Sequence, residues 1–181
     1  MEKTVLITGA SRGIGAALAK TFAAEGYNLS LCCHNNTRLL NDHALSLHEQ
    51  YGIQTLCFTG DVGDYSFAAH MVGETLDKFG HINVLINNAG ISHIGLLQDM
   101  TYEQWQHVIN TNLSSVFSSI FDSLRRVPDF FPLLLFFRKN VFLHTPFSRF
   151  LFYHTFSEFQ QQISIFLQIF HEKCNDHSAS S

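Results

Sequence analysis

Eight residues near the amino terminus carry the clearest chemical signal in this 181-residue chain. The apolar run Val5-Leu6-Ile7 leads into Thr8-Gly9-Ala10-Ser11-Arg12-Gly13-Ile14-Gly15, and Ala16-Ala17-Leu18-Ala19 follows with the composition of a helix start. A strand that turns through glycines into a helix leaves the first helical amides without internal partners. It also aims the positive end of the helix dipole at the same place, so the turn suits an anion such as a pyrophosphate. Gly9 permits the tight exit from the strand, Gly13 lets the backbone approach the phosphates, and Gly15 lets helix and sheet pack closely. Ala10, Ser11, Arg12 and Ile14 complete the turn as candidate contacts.

Such a turn needs a sheet to hold it. Short β-branched runs alternate with longer amphipathic stretches, which predicts strands at 3–8, 28–33, 54–59 and 83–87 and helices near 13–25, 37–51 and 64–79. That order is the signature of βαβ units, so the expected fold is α/β, a Rossmann-type doubly wound parallel sheet. Gly26, Gly52 and Gly80 fall just past the three helices, where a positive φ is wanted. A further helix is expected after Thr101, which forms a capping-box pattern with Gln104, and it should run past Val116 and end near Pro128 and Pro132.

Three more motifs keep the same order: Asp61-Val62 after the third strand, Asn87-Asn88-Ala89-Gly90 after the fourth, and Asn112-Leu113-Ser114-Ser115-Val116-Phe117 in the next helix. Together with the TGxxxGxG turn they resemble the short-chain dehydrogenase/reductase family, especially its 3-oxoacyl-(acyl-carrier-protein) reductases, over about residues 1–120. The resemblance implies an NAD(P)-binding domain and an oxidoreductase that reduces a carbonyl to an alcohol, with a small-molecule or acyl-carrier-bound substrate, a 3-oxoacyl thioester first among them. It implies that Asp61 caps the adenine, that Val62 contacts it through its backbone, and that Asn88, Ala89 and Gly90 border the adenosine ribose. Homo-oligomers are a further implication.

Charge favours NADP over NAD. An NAD-selective site places a carboxylate at the end of the second strand, on the ribose 2′-hydroxyl, but the stretch here reads Ser30-Leu31-Cys32-Cys33-His34-Asn35-Asn36-Thr37-Arg38. Arg12, His34 and Arg38 would instead face a 2′-phosphate.

The catalytic device departs from the family. The resemblance implies an asparagine, a serine, and a tyrosine and lysine four residues apart; of these only the asparagine has a counterpart, Asn112. In the family the tyrosine is the general acid, the lysine lowers its pKa, the serine orients the carbonyl and the asparagine holds a water in the proton relay. Here Tyr153 is followed four residues on by Ser157, and Lys139 and Lys173 have no tyrosine at the required offset. The expectation is a chain whose cofactor binding is weakened or absent, because the family's nicotinamide half-site has no counterpart here, and whose turnover is undetectable. The alternatives are a non-catalytic nucleotide-binding or interaction protein, or a frameshifted or truncated product.

Composition narrows the classes that remain. The net charge of −4 lacks the basic footprint of nucleic-acid or anionic-membrane binding. No basic, apolar leader precedes Thr4, and the longest apolar run, Phe130 to Phe137, is far too short to span a bilayer. The four cysteines form no CxxC pair, and the 11 histidines form no HxH or HxxxH pair, so no metal site and no disulfide framework are expected and a reducing cytoplasm fits best. Cys32 and Cys33 should pack as small apolar residues.

Beyond the fourth motif the composition changes. All 11 glycines lie at or before Gly95 and 12 of the 18 phenylalanines lie after Asp129, which divides the chain into a nucleotide-binding domain, 1–125, and an atypical Phe-rich tail, 126–181. The tail carries one amphipathic helical pattern near 156–173 and stands where the family continues its sheet, so a C-terminally truncated version of the fold is expected. The open edge of the fourth strand, Asn83 to Asn87, would need cover.

Overall fold

The computed structural model describes residues 2–94, 96–126 and 133–136, all within one compact unit. Five strands, β1 (Lys3–Ile7), β2 (Tyr27–Cys33), β3 (Thr55–Thr59), β4 (Val84–Asn87) and β5 (Leu133–Phe136), form one parallel sheet in the order β3-β2-β1-β4-β5. This is the doubly wound arrangement, and its order reverses between β1 and β4, where such sheets open a crevice at their carboxyl ends. The central strands are near-continuous apolar runs because helices cover both faces; every residue of β2 and β4 is buried.

The helices α1 (Gly13–Ala24), α2 (Thr37–Tyr51) and α3 (Tyr65–Phe79) lie within one or two residues of the positions that periodicity predicts. Gly26, Gly52 and Gly80 follow them with φ of 78°, 70° and 77°, the left-handed conformation that ends a helix and that a side chain would strain. Leu6, Cys32, Val62, Met71, Val72, Ile82 and Leu85 form a core between the sheet and α3.

The helix that opens at Thr101 has both bonds of its capping box: the Gln104 amide donates to Thr101 Oγ1 at 3.3 Å, and the Thr101 amide donates to Gln104 Oε1 at 2.9 Å. It is not continuous. α4 (Tyr102–Ile109) passes through a π turn, Asn110–Ser114, into α5 (Ser115–Arg126). A single wide turn of this kind re-aims the residues that follow it, and apolar periodicity does not encode it.

α5 reverses the usual polarity of a surface helix. Ser115, Ser118, Ser119, Asp122 and Ser123 are buried, whereas Leu113, Phe117 and Phe121 are exposed, the two rings stacked at 5.5 Å. The serine hydroxyls donate to the carbonyls of Thr111, Ser114, Ser115 and Ser119 one turn back, which satisfies them without partners from α3.

β5 is not predicted by the sequence pattern, since a short continuous run such as Leu133-Leu134-Leu135-Phe136 has no period. It pairs with Val84–Asn87 and supplies the cover that this edge needs. The helical pattern near 156–173, with Tyr153, lies outside the described residues.

Candidate functional site

Thr8 organises the site. It follows β1, and its hydroxyl accepts from the amides of Asn88 (3.1 Å) and Ala89 (3.0 Å) while donating to the Ile86 carbonyl at 3.5 Å. Asn88 answers across the same gap: Nδ2 donates to the carbonyls of Thr8 (2.9 Å) and Gly9 (3.0 Å). The loop after β1 and the loop after β4 are thereby tied by four bonds between residues about 80 positions apart in sequence. Both loops lie at the carboxyl end of the sheet, beside the crevice.

The three glycines of the turn differ in their surroundings. Gly9 has φ 67°, and a Cβ there would lie 2.9 Å from Ala89 Cα. A Cβ on Gly15 would lie 2.3 Å from the Gly9 carbonyl oxygen and 2.7 Å from Asn88 Nδ2, so the first turn of α1 reaches the strand exit only because no side chain intervenes. Gly13 has φ 59° and nothing within 4 Å of its would-be Cβ. Gly26, Gly52 and Gly80 share both features at helix ends, so what sets Gly13 apart is its place at the first residue of α1, where the unpartnered amides of the helix begin.

The other residues of the turn are not equivalent. Ala10 is wholly buried and its amide donates to the Cys32 carbonyl at 2.8 Å, so it shapes the turn instead of facing the crevice. Arg12 caps α1 in extended conformation (φ −158°, ψ 172°) with an exposed side chain, Gly13 is exposed, and Ser11 and Ile14 are half-buried.

At the end of β2, His34 is exposed and no carboxylate stands in the strand-end stretch. Arg38 lies on the first turn of α2, where its Nε is 3.7 Å from Asp42, both side chains largely in solvent. So exposed a pair contributes little. Arg12 lies within the turn itself, and no acid stands between Ser30 and Arg38.

Asp61 is half-buried and its Oδ1 accepts from the Gly63 amide at 2.8 Å, which curls the loop after β3. Val62 is buried in the core, leaving its backbone as the surface it can present. Ala89 and Gly90 are half-buried beside Asn88. Asn112, on the π turn, spends its whole side-chain amide on one residue: Oδ1 accepts from the Ile91 amide at 2.9 Å and Nδ2 donates to the Ile91 carbonyl at 2.8 Å. Its side chain is a clamp on the loop after β4. Thr8 and the Asn110–Gly63 contact discussed below are the site residues that sequence reasoning does not single out. The signal for Thr8 was its place immediately before the first glycine.

Two thiols in the sheet, Cys32 and Cys57, are held in their protonated form. Burial, then the neighbouring Cys33 and the Asp61 carboxylate, push the Cys32 thiol up to about 12. Burial and Cys33, partly offset by Lys78, push Cys57 up to about 11. Both are therefore protonated and inert at neutral pH, and no cluster of three metal ligands exists among the described residues.

A family model described as short chain dehydrogenase matches residues 3–126. The 3-oxoacyl-(acyl-carrier-protein) reductase of Staphylococcus epidermidis is 37% identical over 123 residues, 66% of this chain and 49% of that protein. The acetoacetyl-CoA reductase of Paracoccus denitrificans is 38% identical over 118 residues, 65% and 46% of the two. The chain spans about half the length of the curated relatives it matches. Among solved structures, an alcohol dehydrogenase from the archaeon Thermococcus sibiricus complexed with 5-hydroxy-NADP superimposes with a TM-score of 0.67 at 30% identity, over 75% of this chain and 57% of that one. A short-chain dehydrogenase from Sphingobium yanoikuyae in complex with NADPH gives 0.62 at 31% identity, over 68% and 48%.

Proposed function

Because the chain belongs to the short-chain dehydrogenase family, we propose that it binds NADP(H) in the crevice between β1 and β4 and that residues 1–181 hold the nucleotide without turning it over. The observation that carries this reading is the close approach of α1 to the strand exit at Gly9 and Gly15, which sets the unpartnered amides that open α1 beside a pair of loops fixed by Thr8 and Asn88. The amides of Ser11 to Gly15 and the dipole of α1 take the pyrophosphate. Arg12 and His34 face the 2′-phosphate, Asp61 and the Val62 backbone hold the adenine end, and Ala89 and Gly90, steadied by Asn88, border the ribose.

In a chain with the whole catalytic device, a bound nicotinamide would supply a hydride for the carbonyl carbon of a substrate. The names of the relatives point to a 3-oxoacyl thioester as that substrate and to a reductase as the parent activity. Of the residues needed to complete the reduction this sequence offers only Asn112, which positions Ile91. No tyrosine in the 181 residues precedes a lysine by four, so no phenol is tuned to deliver a proton to the developing alkoxide. A cytoplasmic setting and homo-oligomeric assembly belong to the same proposal; among the described residues no helix is long and apolar enough to cross a membrane.

The test is a fluorescence titration with NADPH and NADH, run beside an NADPH-oxidation assay with acetoacetyl-CoA. Saturable binding that favours NADPH, with no oxidation above the buffer rate, is the expected result. Failure to bind either nucleotide would overturn the binding claim, and oxidation at rates ordinary for reductases would overturn the claim of no turnover.

A further inference from the structure

The π turn between α4 and α5 approaches two of the loops that the proposed site requires, one through Asn110 and the other through the Asn112 side chain. A Cβ on Gly63 would lie 3.3 Å from both the Asn110 carbonyl carbon and Asn110 Cβ, and 3.1 Å from Asp61 Oδ1. Gly63 is therefore wedged between the carboxylate that curls its own loop and the first residue of the π turn. Asn110 is itself held, since its Oδ1 accepts from Gln106 Nε2 at 2.9 Å. Two residues further on, Asn112 fastens Ile91 in the loop after β4 through two bonds. The widened turn thus presents Asn110 to the loop after β3 and Asn112 to the loop after β4, and that second loop is in turn tied to the glycine turn through Asn88.

We infer that the π turn Asn110–Ser114 is a positioning element for the nucleotide, with Gly63 and Asn110 as positioning residues that set Asp61 and Val62 in register with the turn at Gly9 to Gly15. This rests on the nucleotide-binding reading above and deepens it. Gly63 is glycine for its closeness to Asn110 and not for its φ, because its backbone is not in the left-handed region. A methyl group there must displace either the Asp61 carboxylate or a hydrogen-bonded helical backbone. The carboxylate is the softer of the two, so the adenine end of the site moves.

The experiment compares wild type, Gly63→Ala and Ala68→Gly in the full chain, by calorimetric titration with 2′,5′-ADP and with NADPH and by thermal denaturation. Ala68 is buried on α3, five residues beyond Gly63, so Ala68→Gly is a control that loosens the same unit without adding an atom to the wedge. Gly63→Ala should weaken both ligands by about three- to tenfold, the range of a weakened hydrogen bond, while Ala68→Gly lowers the melting temperature and leaves affinity within about twofold. Because 2′,5′-ADP lacks the nicotinamide, an equal loss for both ligands places the defect at the adenosine end. If wild type binds and Gly63→Ala binds as well, or if both variants lose affinity in proportion to stability, the positioning role is refuted. If wild type binds neither ligand, the nucleotide-binding reading fails and this inference falls with it.

Discussion

Replacing Gly15 by alanine should do more damage than its size suggests. Alanine is the better helix former by about 1 kcal/mol, so on propensity alone the variant would gain stability. The added carbon, however, would stand 2.3 Å from the Gly9 carbonyl oxygen and 2.7 Å from Asn88 Nδ2, and ordinary contact begins roughly 1 Å further out. Relieving that overlap moves α1 away from the strand exit and pulls Asn88 Nδ2 off the carbonyls of Thr8 and Gly9, now 2.9 and 3.0 Å away. Two such bonds contribute about 0.5–1.5 kcal/mol each, and overpacking costs about 1–3 kcal/mol. After the propensity gain is subtracted, the net loss is about 1–5 kcal/mol, centred near 3. Gly13→Ala is the comparator. Its side chain would meet nothing within 4 Å, and its cost is the strain of a left-handed alanine, about 1–2 kcal/mol. Urea denaturation of the two variants checks the order. A Gly15→Ala chain as stable as wild type, or more stable than Gly13→Ala, would show that helix and strand exit are not in the close contact described.

Thr101→Ala removes the acceptor that caps α4 and should cost about 0.5–2 kcal/mol in the same urea measurement, with Thr101→Ser recovering most of it. Tyr65→Phe takes away the hydroxyl that donates to Asp122 Oδ1 at 3.3 Å; Oδ2 of this buried carboxylate already has no partner among the described residues, so a loss of about 1 kcal/mol is expected. Cys32 predicts an alkaline transition. Its folded-state thiol is raised from an ordinary 9.0 to about 12, so the unfolded chain releases this proton first as pH rises. Its stabilising share is therefore complete below about pH 9 and declines through the window up to about pH 12. Cys32→Val should flatten that part of a stability–pH curve, and an unchanged slope would show that Cys32 is not its source.

Elements defined by local rules were legible in the sequence. The alternation that places β1 to β4 and α1 to α3, the glycines that end the helices and the Thr101–Gln104 cap all act within a few residues, and the structure places them where those rules require. The turn from Gly9 to Gly15 was legible for the same reason. Contacts across the fold were not. Thr8 and Asn88 are 80 residues apart, and nothing local announces that each satisfies the other. Asn112 could be placed by motif, but its commitment to Ile91 follows from a π turn that apolar spacing does not encode. The serine face of α5 lies inward although hydropathy alone would turn Phe117 and Phe121 to the core, because those hydroxyls find partners on their own helix. β5 was hidden by its lack of period.

If the amides opening α1 hold a dinucleotide's linked phosphates, bound nucleotide must register at those amides. Amide NMR of the labelled chain during titration with NADP+ tests it residue by residue. Saturable shifts of the Ser11, Gly13, Ile14 and Gly15 amides, accompanied by those of Asp61, Val62, Ala89 and Gly90, are predicted. Saturable shifts confined to other parts of the unit, or no shift in the 11–15 amides at saturating nucleotide, would contradict the account.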